Sequence, residues 1–272
     1  AGVEQARGDY LLFLDSDDTY LPGTLDAIAT RLAKTSDPDV LVFDYARTYP
    51  SGARIRNERA ALLAETGPDV FSIRDRPDLL RLLAVVWNKA YRRDFVASTG
   101  LSFPSGYYED VAWTYPVMLS AERIACLDRV CVHYRQRGDG NILGTESRRH
   151  FDLFDQYDRV FAFLDGLPEA ERLRPLLFLR AIDHICAVLN MPRRVPPRAR
   201  HAFFKRGHEL YHRHLPPGYV PPPGVAGVRH RLLAAGTPRL YQALLHTRRI
   251  WLKARSLAGA PVRPDRKSTR LN

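Results

Sequence analysis

Apolar and polar positions follow two different rhythms along this chain. Tyr10-Leu-Leu-Phe-Leu14 and Asp39-Val-Leu-Val-Phe-Asp-Tyr45 are short, nearly continuous apolar runs, the pattern of buried strands. Ile124 to Leu127 and Val130 to Tyr134 alternate like two more strands around an Asp128-Arg129 turn. Tyr49-Pro-Ser-Gly52 is turn chemistry and predicts a hairpin returning through Arg54 to Arg56. Between these runs, residues 24–34 place Leu25, Ile28, Ala29 and Leu32 at helical spacing, with Arg31 and Lys34 late, where the helix dipole favours them. Residues 77–83 also read as helical. Up to about residue 145 the chain is thus of the α/β class.

Beyond that point only the helical rhythm persists. Residues 147–165 carry Phe151, Phe154, Val160, Phe161 and Leu164 on one face, and residues 169–189 and 201–214 predict two further helices. Met191-Pro-Arg-Arg-Val-Pro-Pro197 breaks the run. Leu215 to Gly224, with five prolines, predicts a stiff extended linker. Residues 225–257 then read as a basic amphipathic stretch interrupted near Gly236 and Pro238. The expected organisation is an α/β part over 1–145, a helical extension over 146–214, a linker over 215–224, a basic helical segment over 225–260 and a disordered tail over 261–272.

Charge follows the same division. Residues 1–150 hold 19 Lys and Arg against 21 Asp and Glu, whereas residues 151–272 hold 22 against 9. The chain's net charge of +11 therefore belongs to its C-terminal region. Such a surface attracts anionic lipid, anionic polymer or nucleic acid. No nucleic-acid motif accompanies the charge, so an anionic membrane surface or phosphate-rich polymer is the expected partner and nucleic acid is disfavoured. Cys126, Cys131 and Cys186 are odd in number and unpatterned, which fits a reducing compartment. No apolar run is long enough to span a bilayer. His201, His208, His212 and His214 lack accompanying Cys or paired acids and read as part of the basic face, not as metal ligands.

The chemistry concentrates in acids. Asp15-Ser-Asp17-Asp18 closes the first apolar run, and strand ends are where α/β proteins bind ligands. On an extended chain Asp15 and Asp17 would face the same side. Paired carboxylates with a diphosphate suit Mg²⁺ or Mn²⁺. The alternative is structural: a polar turn in which Asp18 or Thr19 caps the helix opened by Pro22. A second acidic pair, Glu109-Asp110, stands among aromatics in Gly106-Tyr-Tyr-Glu-Asp-Val-Ala-Trp113 near a predicted helix start. There it serves either chemistry or the helix dipole.

Gly2, Ala6, Gly8, Tyr10, the apolar run to Leu14 and Asp15 to Asp18 together resemble the DxD region of family 2 glycosyltransferases of the GT-A fold. Glu109-Asp110 resembles that family's later acidic motif, and Trp87-Asn88-Lys89-Ala90-Tyr91 the segment before it. His133-Tyr-Arg-Gln-Arg137 is similar to the segment that closes over the donor. The resemblance covers roughly residues 1–145. It implies an inverting, metal-dependent transferase moving a sugar from a nucleotide donor to a cell-envelope acceptor. Asp17, with Asp15, would hold the metal, Asp18 would neighbour the ribose or metal, and Asp110 would be the general base. Glu109, Trp87 and Lys89 would contact the acceptor, with Lys89 also able to pair with phosphate. Core packing of Trp87 and solvation of Lys89 are equally open readings. Arg135 and Arg137 would clamp the diphosphate, and His133 is structural.

Asp15-Ser-Asp17-Asp-Thr19 also fits the nucleophile motif of haloacid-dehalogenase-like phosphatases, with Asp15 attacking phosphorus and Asp17 as general acid. Gly138-Asp-Gly-Asn141 looks like that family's later acidic motif. However, Asp139 does not follow an apolar strand end, and Leu143 stands where a second Asp is expected. A third reading is a binding module for anionic polymer or nucleic acid.

The family resemblance places the first strand-helix units of a GT-A core ahead of Ala1, so a truncated catalytic part, inactive or weakly active alone, is expected. Arg266 to Asn272 looks like adapter read-through. The C-terminal region resembles actinobacterial chains that continue into a CDP-glycerol glycerophosphotransferase domain for teichoic-acid-like polymers. That arrangement implies a polyol-phosphate or lipid-linked acceptor at the inner face of the membrane.

Overall fold

The structure is a computed structural model and describes residues 2–65, 69–136, 145–191, 193–245 and 247. It forms two compact units that divide near residue 141, with Gly106–Tyr108 belonging to the second. The expectations for Arg137, for Gly138–Asn141, for Leu143 and for the tail beyond 247 lie outside the described residues.

The first unit opens with a one-turn helix, α1 (Gly2–Gln5), and is organised by β3 (Val40–Thr48), which is buried on both faces up to Arg47. Burial on both sides is why this segment reads as an apolar run without alternation. β6 (Ile124–Arg135) lies parallel to β3 along its length. On the other side of β3, β5 (Lys89–Arg92) pairs antiparallel with Val40–Val42, and β4 (Arg54–Arg56) with Ala46–Thr48, forming the predicted hairpin. β1 (Tyr10–Leu12) pairs with β5 and β2 (Thr19–Tyr20) with β6, giving the order β1-β5-β3-β6-β2.

Three expectations change here. The two strands predicted around Asp128-Arg129 are one strand with an irregularity: Leu127 opposes Phe43, but the next paired residue is Val130, opposite Asp44. Residues 128 and 129 bulge to solvent, where the Asp128 carboxylate meets Arg56. Arg56 also reaches Asp44, fully buried on β3, at 2.5 Å. Further, α2 (Thr24–Lys34) is capped by Gly23 at φ 72, so neither Asp18 nor Thr19 serves as its cap. Ile28 and Leu32 face the sheet as predicted, but Leu25 is 58% exposed and Arg31 turns inward instead. Its guanidinium donates to the Cys126 carbonyl at 2.8 Å and pairs with Asp69 and Glu65, partners that apolar spacing cannot reveal.

The opposite side of the sheet is aromatic. α4 (Glu109–Ser120) lays Trp113 against Tyr91, Phe13 and Phe103, with ring centroids 4.8, 5.7 and 4.5 Å apart. Alternation on β5 explains the partition: Ala90 faces the α2 cluster and Tyr91 faces Trp113. Residues 77–81 form a 3₁₀ turn in place of the predicted helix, and α3 (Arg93–Thr99) follows β5 directly.

The second unit is helical. Ser147 opens it by accepting the Arg149 N–H, and α5 (Asp152–Asp165), α6 (Arg174–Asn190), α7 (Arg200–His214) and α8 (Gly224–Ala234) follow. A turn with Gly236 at φ 62 leads to a last helical stretch over 238–245. Residues 215–223 do not run as a free spacer. A Pro216–Tyr219 turn packs Tyr219 against Phe178, and the Tyr219 hydroxyl lies 2.9 Å from His230 Nδ1. His208 and His212, one turn apart, donate to the Leu233 and Ala234 carbonyls at the end of α8, and His214 to Asp158. Among the described residues no metal-holding cluster of His, Cys and acids occurs, and no helix is long and apolar enough to cross a membrane.

Gly106–Tyr108 is pinned within this unit. The Tyr107 N–H donates to Asp152 Oδ2 at 2.9 Å, and the Tyr108 hydroxyl shares a 2.6 Å hydrogen bond with His150. Gly106 has φ 107, and a Cβ there would lie 2.7 Å from Asp152 Oδ2, so both conformation and space require glycine.

His184 of α6 gives this unit an acid sensitivity. It is buried beside Tyr157, and burial together with Arg194, Arg180 and His150 pushes its pKa down to about 3. The unfolded chain takes up a proton near pH 6.5 that the folded unit refuses, so stability falls as pH drops through that window. By pH 4 the loss is on the order of 3 kcal/mol. Urea unfolding between pH 4 and 7 should show this slope, and His184→Leu should flatten it relative to wild type. An equal slope in the variant removes the assignment.

Candidate functional site

The Asp15–Asp18 segment joins β1 to β2 as a tight turn, closed by the Asp18 N–H on the Asp15 carbonyl at 3.0 Å. The acids are therefore gathered by a turn, not by strand alternation as the sequence pattern implies. Position follows from pairing: Thr19 and Tyr20 hydrogen-bond along His133 and Val132, which carries Asp18 to the end of β6. There the Arg135 N–H donates to Asp18 Oδ1 at 2.8 Å. Asp18 is 6% exposed, and its other oxygen, Oδ2, is buried without a hydrogen-bond partner among the described residues.

The electrostatics of this turn are those of crowded negative charge. Burial, moderated by the Arg135 N–H and then raised further by Asp15 and Asp17, pushes the Asp18 carboxyl up to about 6. Asp15, though open to solvent at the rim, is also raised, by loss of surrounding water and by Asp17. A cation would relieve all three. The donor set is hard oxygen, and a buried carboxylate oxygen lacks a partner, so the residues fit a divalent ion shared with phosphate oxygens. No three such side chains converge among the described residues, so they do not form a complete protein cage.

Asp110 opens α4 beside the other acid of its pair, Glu109. Burial, then Glu109 and Asp15, push its carboxyl up to about 7, while Lys89 and a hydrogen bond from the Val86 N–H pull it down. Asp15 and Asp110 are thus close enough to feel each other's charge although they lie far apart in sequence.

The other predicted site residues fall as follows. Trp87 is 2% exposed and packed between Tyr45 and Tyr134, with centroids 5.0 and 4.9 Å away, so its rings are occupied by the core. Lys89 is also 2% exposed; it is neither solvated nor open to a phosphate in this conformation, and its Nζ donates to the Val85 carbonyl and Asn88 Oδ1, both at 2.7 Å. Arg135 serves Asp18 with its backbone, and alternation puts its exposed side chain on the face opposite Tyr134. His133, on that same face, is lowered by burial and by Arg54. Two contributors carried no sequence signal of their own. Tyr134, raised by burial and also by Asp18 and Asp15, links Trp87 to the turn, and the Val86 N–H is a backbone group.

Comparison with known proteins gives this geometry its setting. The profile described as glycosyl transferase family 2 matches residues 1–99, the stretch holding the Asp15–Asp18 turn and the Trp87–Lys89 segment. Residues 1–99 are thus similar to glycosyl transferase family 2. The chain is 31% identical to the uncharacterized glycosyltransferase YibD of Escherichia coli over 175 residues, 61% of this chain and 49% of that protein. It is 24% identical to the glycosyltransferase EpsH of Bacillus subtilis over 138 residues, 49% of this chain and 39% of that one. It therefore spans half or less of these relatives' length. The fold is that of S. aureus TarS 1-349, solved with UDP-GlcNAc and with UDP: TM-scores are 0.64 and 0.62, identities 20% and 18%, covering 91% of this chain and 69% and 68% of TarS 1-349. The GT-A-like core with a helical C-terminal region is thereby established, and the phosphatase reading of Asp15 and Asp17 loses its ground.

Proposed function

We propose that this chain carries the acceptor-activating half of an inverting glycosyltransferase, moving a sugar from a nucleotide-sugar donor to a cell-envelope acceptor. The observation that carries the reading is the charge coupling of Asp15, in the β1–β2 turn, to the buried Asp110 at the start of α4, whose carboxyl is pushed up to about 7 by burial and then by Glu109 and Asp15. A carboxylate poised near the working pH is suited to accept the proton of an attacking hydroxyl.

Asp17 and Asp15 would hold Mg²⁺ or Mn²⁺ on the donor diphosphate, with Asp18 fixing the turn through Arg135. When bound, the ion supplies charge neutralisation for the departing diphosphate. Asp110 takes the acceptor proton and Glu109 orients the hydroxyl. Arg135 and Arg137 would assist the diphosphate, as the family resemblance implies. Trp87 supports the site from the core. The binding of UDP-GlcNAc and UDP by TarS makes a uridine nucleotide sugar the first donor to try. The basic C-terminal region favours a phosphate-bearing acceptor, such as a teichoic-acid-like polymer, at the inner face of the membrane.

The test is release of nucleoside diphosphate from a panel of nucleotide sugars with Mn²⁺ and a polyol-phosphate acceptor, with a generic phosphomonoester alongside. Metal-dependent cleavage of one donor supports the transferase. Phosphomonoester turnover without donor cleavage overturns it.

A further inference from the structure

The helical unit gathers its exposed apolar side chains near one loop. Among its described residues the large ones left open to solvent are Leu215, Val220, Val225 and Leu240. Three of these lie on the stretch that joins α7 to the first turn of α8, and Val220 is 81% exposed. The stretch is fixed at its base. The Tyr219 ring packs on Phe178 at 4.7 Å, and its hydroxyl meets Nδ1 of the fully buried His230, whose Nε2 lies 3.1 Å from Asp183 Oδ1. The Tyr219 N–H closes a turn on the Pro216 carbonyl, with Gly218 at φ 69. On the return, the Pro222 carbonyl comes so near α8 that a Cβ on Gly227 would stand 1.7 Å from it. Tyr219 is thus drawn inward while its neighbour Val220 is held out in water, between Pro216-Pro217 and Pro221-Pro222-Pro223. A valine so placed covers no core and adds nothing to the fold. The proline frame instead gives a preordered apolar tip, which loses little freedom on meeting a partner.

Charge selects the partner. Residues 210–245 hold Arg213, Arg229, Arg231 and Arg239, and neither Asp nor Glu. Arg213 and Arg231 are exposed, the first leading into the loop and the second with its guanidinium beside Gly227 at the loop's base. Asp158 of α5 and Asp183 of α6, which border this region, are already engaged, by Arg213 with His214 and by His230. An apolar tip flanked by cations fits the interface of an anionic bilayer, where apolar side chains enter the acyl boundary and guanidiniums meet headgroup phosphates. A soluble polyanion would use the arginines and leave the valine idle.

We propose that residues 215–225 form a membrane-docking loop that places Val220, with Leu215 and Val225, into the interface of an anionic bilayer while Arg213 and Arg231 meet lipid phosphates. The inference rests on the reading above for the membrane face alone and on none of its chemistry.

The experiment is co-sedimentation of the whole chain with vesicles of phosphatidylcholine and phosphatidylserine in equal parts, and of phosphatidylcholine alone. The wild type should bind the mixed vesicles and prefer them over the neutral ones. Val220→Ser should weaken that binding about tenfold. In Val220→Trp the introduced indole should shift its emission to the blue on adding mixed vesicles and be quenched by brominated lipid. Val220 covers no core, so both variants keep the fold, which circular dichroism checks. A wild type that stays in solution, a Val220→Ser variant that sediments like the wild type, or an indole that stays in water overturns the proposal. So does soluble polyphosphate binding as tightly as the vesicles with Val220→Ser changing neither, which would assign the arginines to a polymer. No donor sugar enters these readouts. A chain that docks but cleaves no nucleotide sugar keeps the loop and loses the transferase. A chain that transfers sugar but ignores vesicles keeps the transferase and loses the loop.

Discussion

Asp110→Asn should abolish most sugar transfer, lowering kcat by about 10²–10⁴ while donor affinity stays close to that of the wild type. The substitution keeps the shape of the side chain and its bond from the Val86 N–H, and removes only the capacity to take a proton. Loss confined to kcat is the mark of an interaction made in the transition state, whereas a rise in KM alone would mean Asp110 merely binds. The pH profile supplies the sign. Burial and the neighbouring Glu109 and Asp15 raise Asp110 to about 7, and only its ionised form is a base. Wild-type kcat/KM should therefore climb as pH rises through about 7 and level off above it. A variant that transfers sugar at the wild-type rate, or a profile that falls through that range, would remove Asp110 from the reaction.

What the sequence conveyed and what it hid divide along physical lines. β3, α2 and the start of α4 were legible because burial dictates apolar spacing and because helix ends carry local signals. The bulge at Asp128-Arg129 was not, since a break in alternation looks the same whether the chain turns back or runs on. The acids were visible as residue types at a strand end and a helix start. Their gathering by a turn, and the docking of that turn through Thr19 on His133, depends on strand register, which no local pattern encodes. The inward Arg31 and the buried Lys89 show the limit from the other side. A long cation reads as surface until its partners are placed around it: for Arg31 a carbonyl and carboxylates from distant segments, for Lys89 a carbonyl and an amide oxygen of the adjoining loop. The aromatic Trp87 misled in the opposite sense, because a ring near a site is as readily a wall of the core as a platform for sugar.

The metal side of the site should be equally sensitive. Asp17→Asn is expected to reduce transfer on the order of a thousandfold, and a chelator should do the same to the wild type, reversibly on adding Mn²⁺. The reasoning is one of charge count. The turn offers carboxylates already crowded enough to raise Asp15 and Asp18, yet no third ligand cluster among the described residues to hold an ion unaided. An ion with few protein ligands takes the rest of its shell from water and from substrate phosphate. Mn²⁺ should accordingly bind weakly to the protein alone and more tightly with a nucleoside diphosphate present, and by reciprocity the nucleotide should gain the same factor from the metal. Asp18→Asn should cost less, because its amide oxygen can still accept the Arg135 N–H that docks the turn. Calorimetric titration of Mn²⁺ with and without UDP, in wild type and in both variants, separates the roles. Tight Mn²⁺ binding without nucleotide, unaffected by Asp17→Asn, would place the ion elsewhere on the molecule.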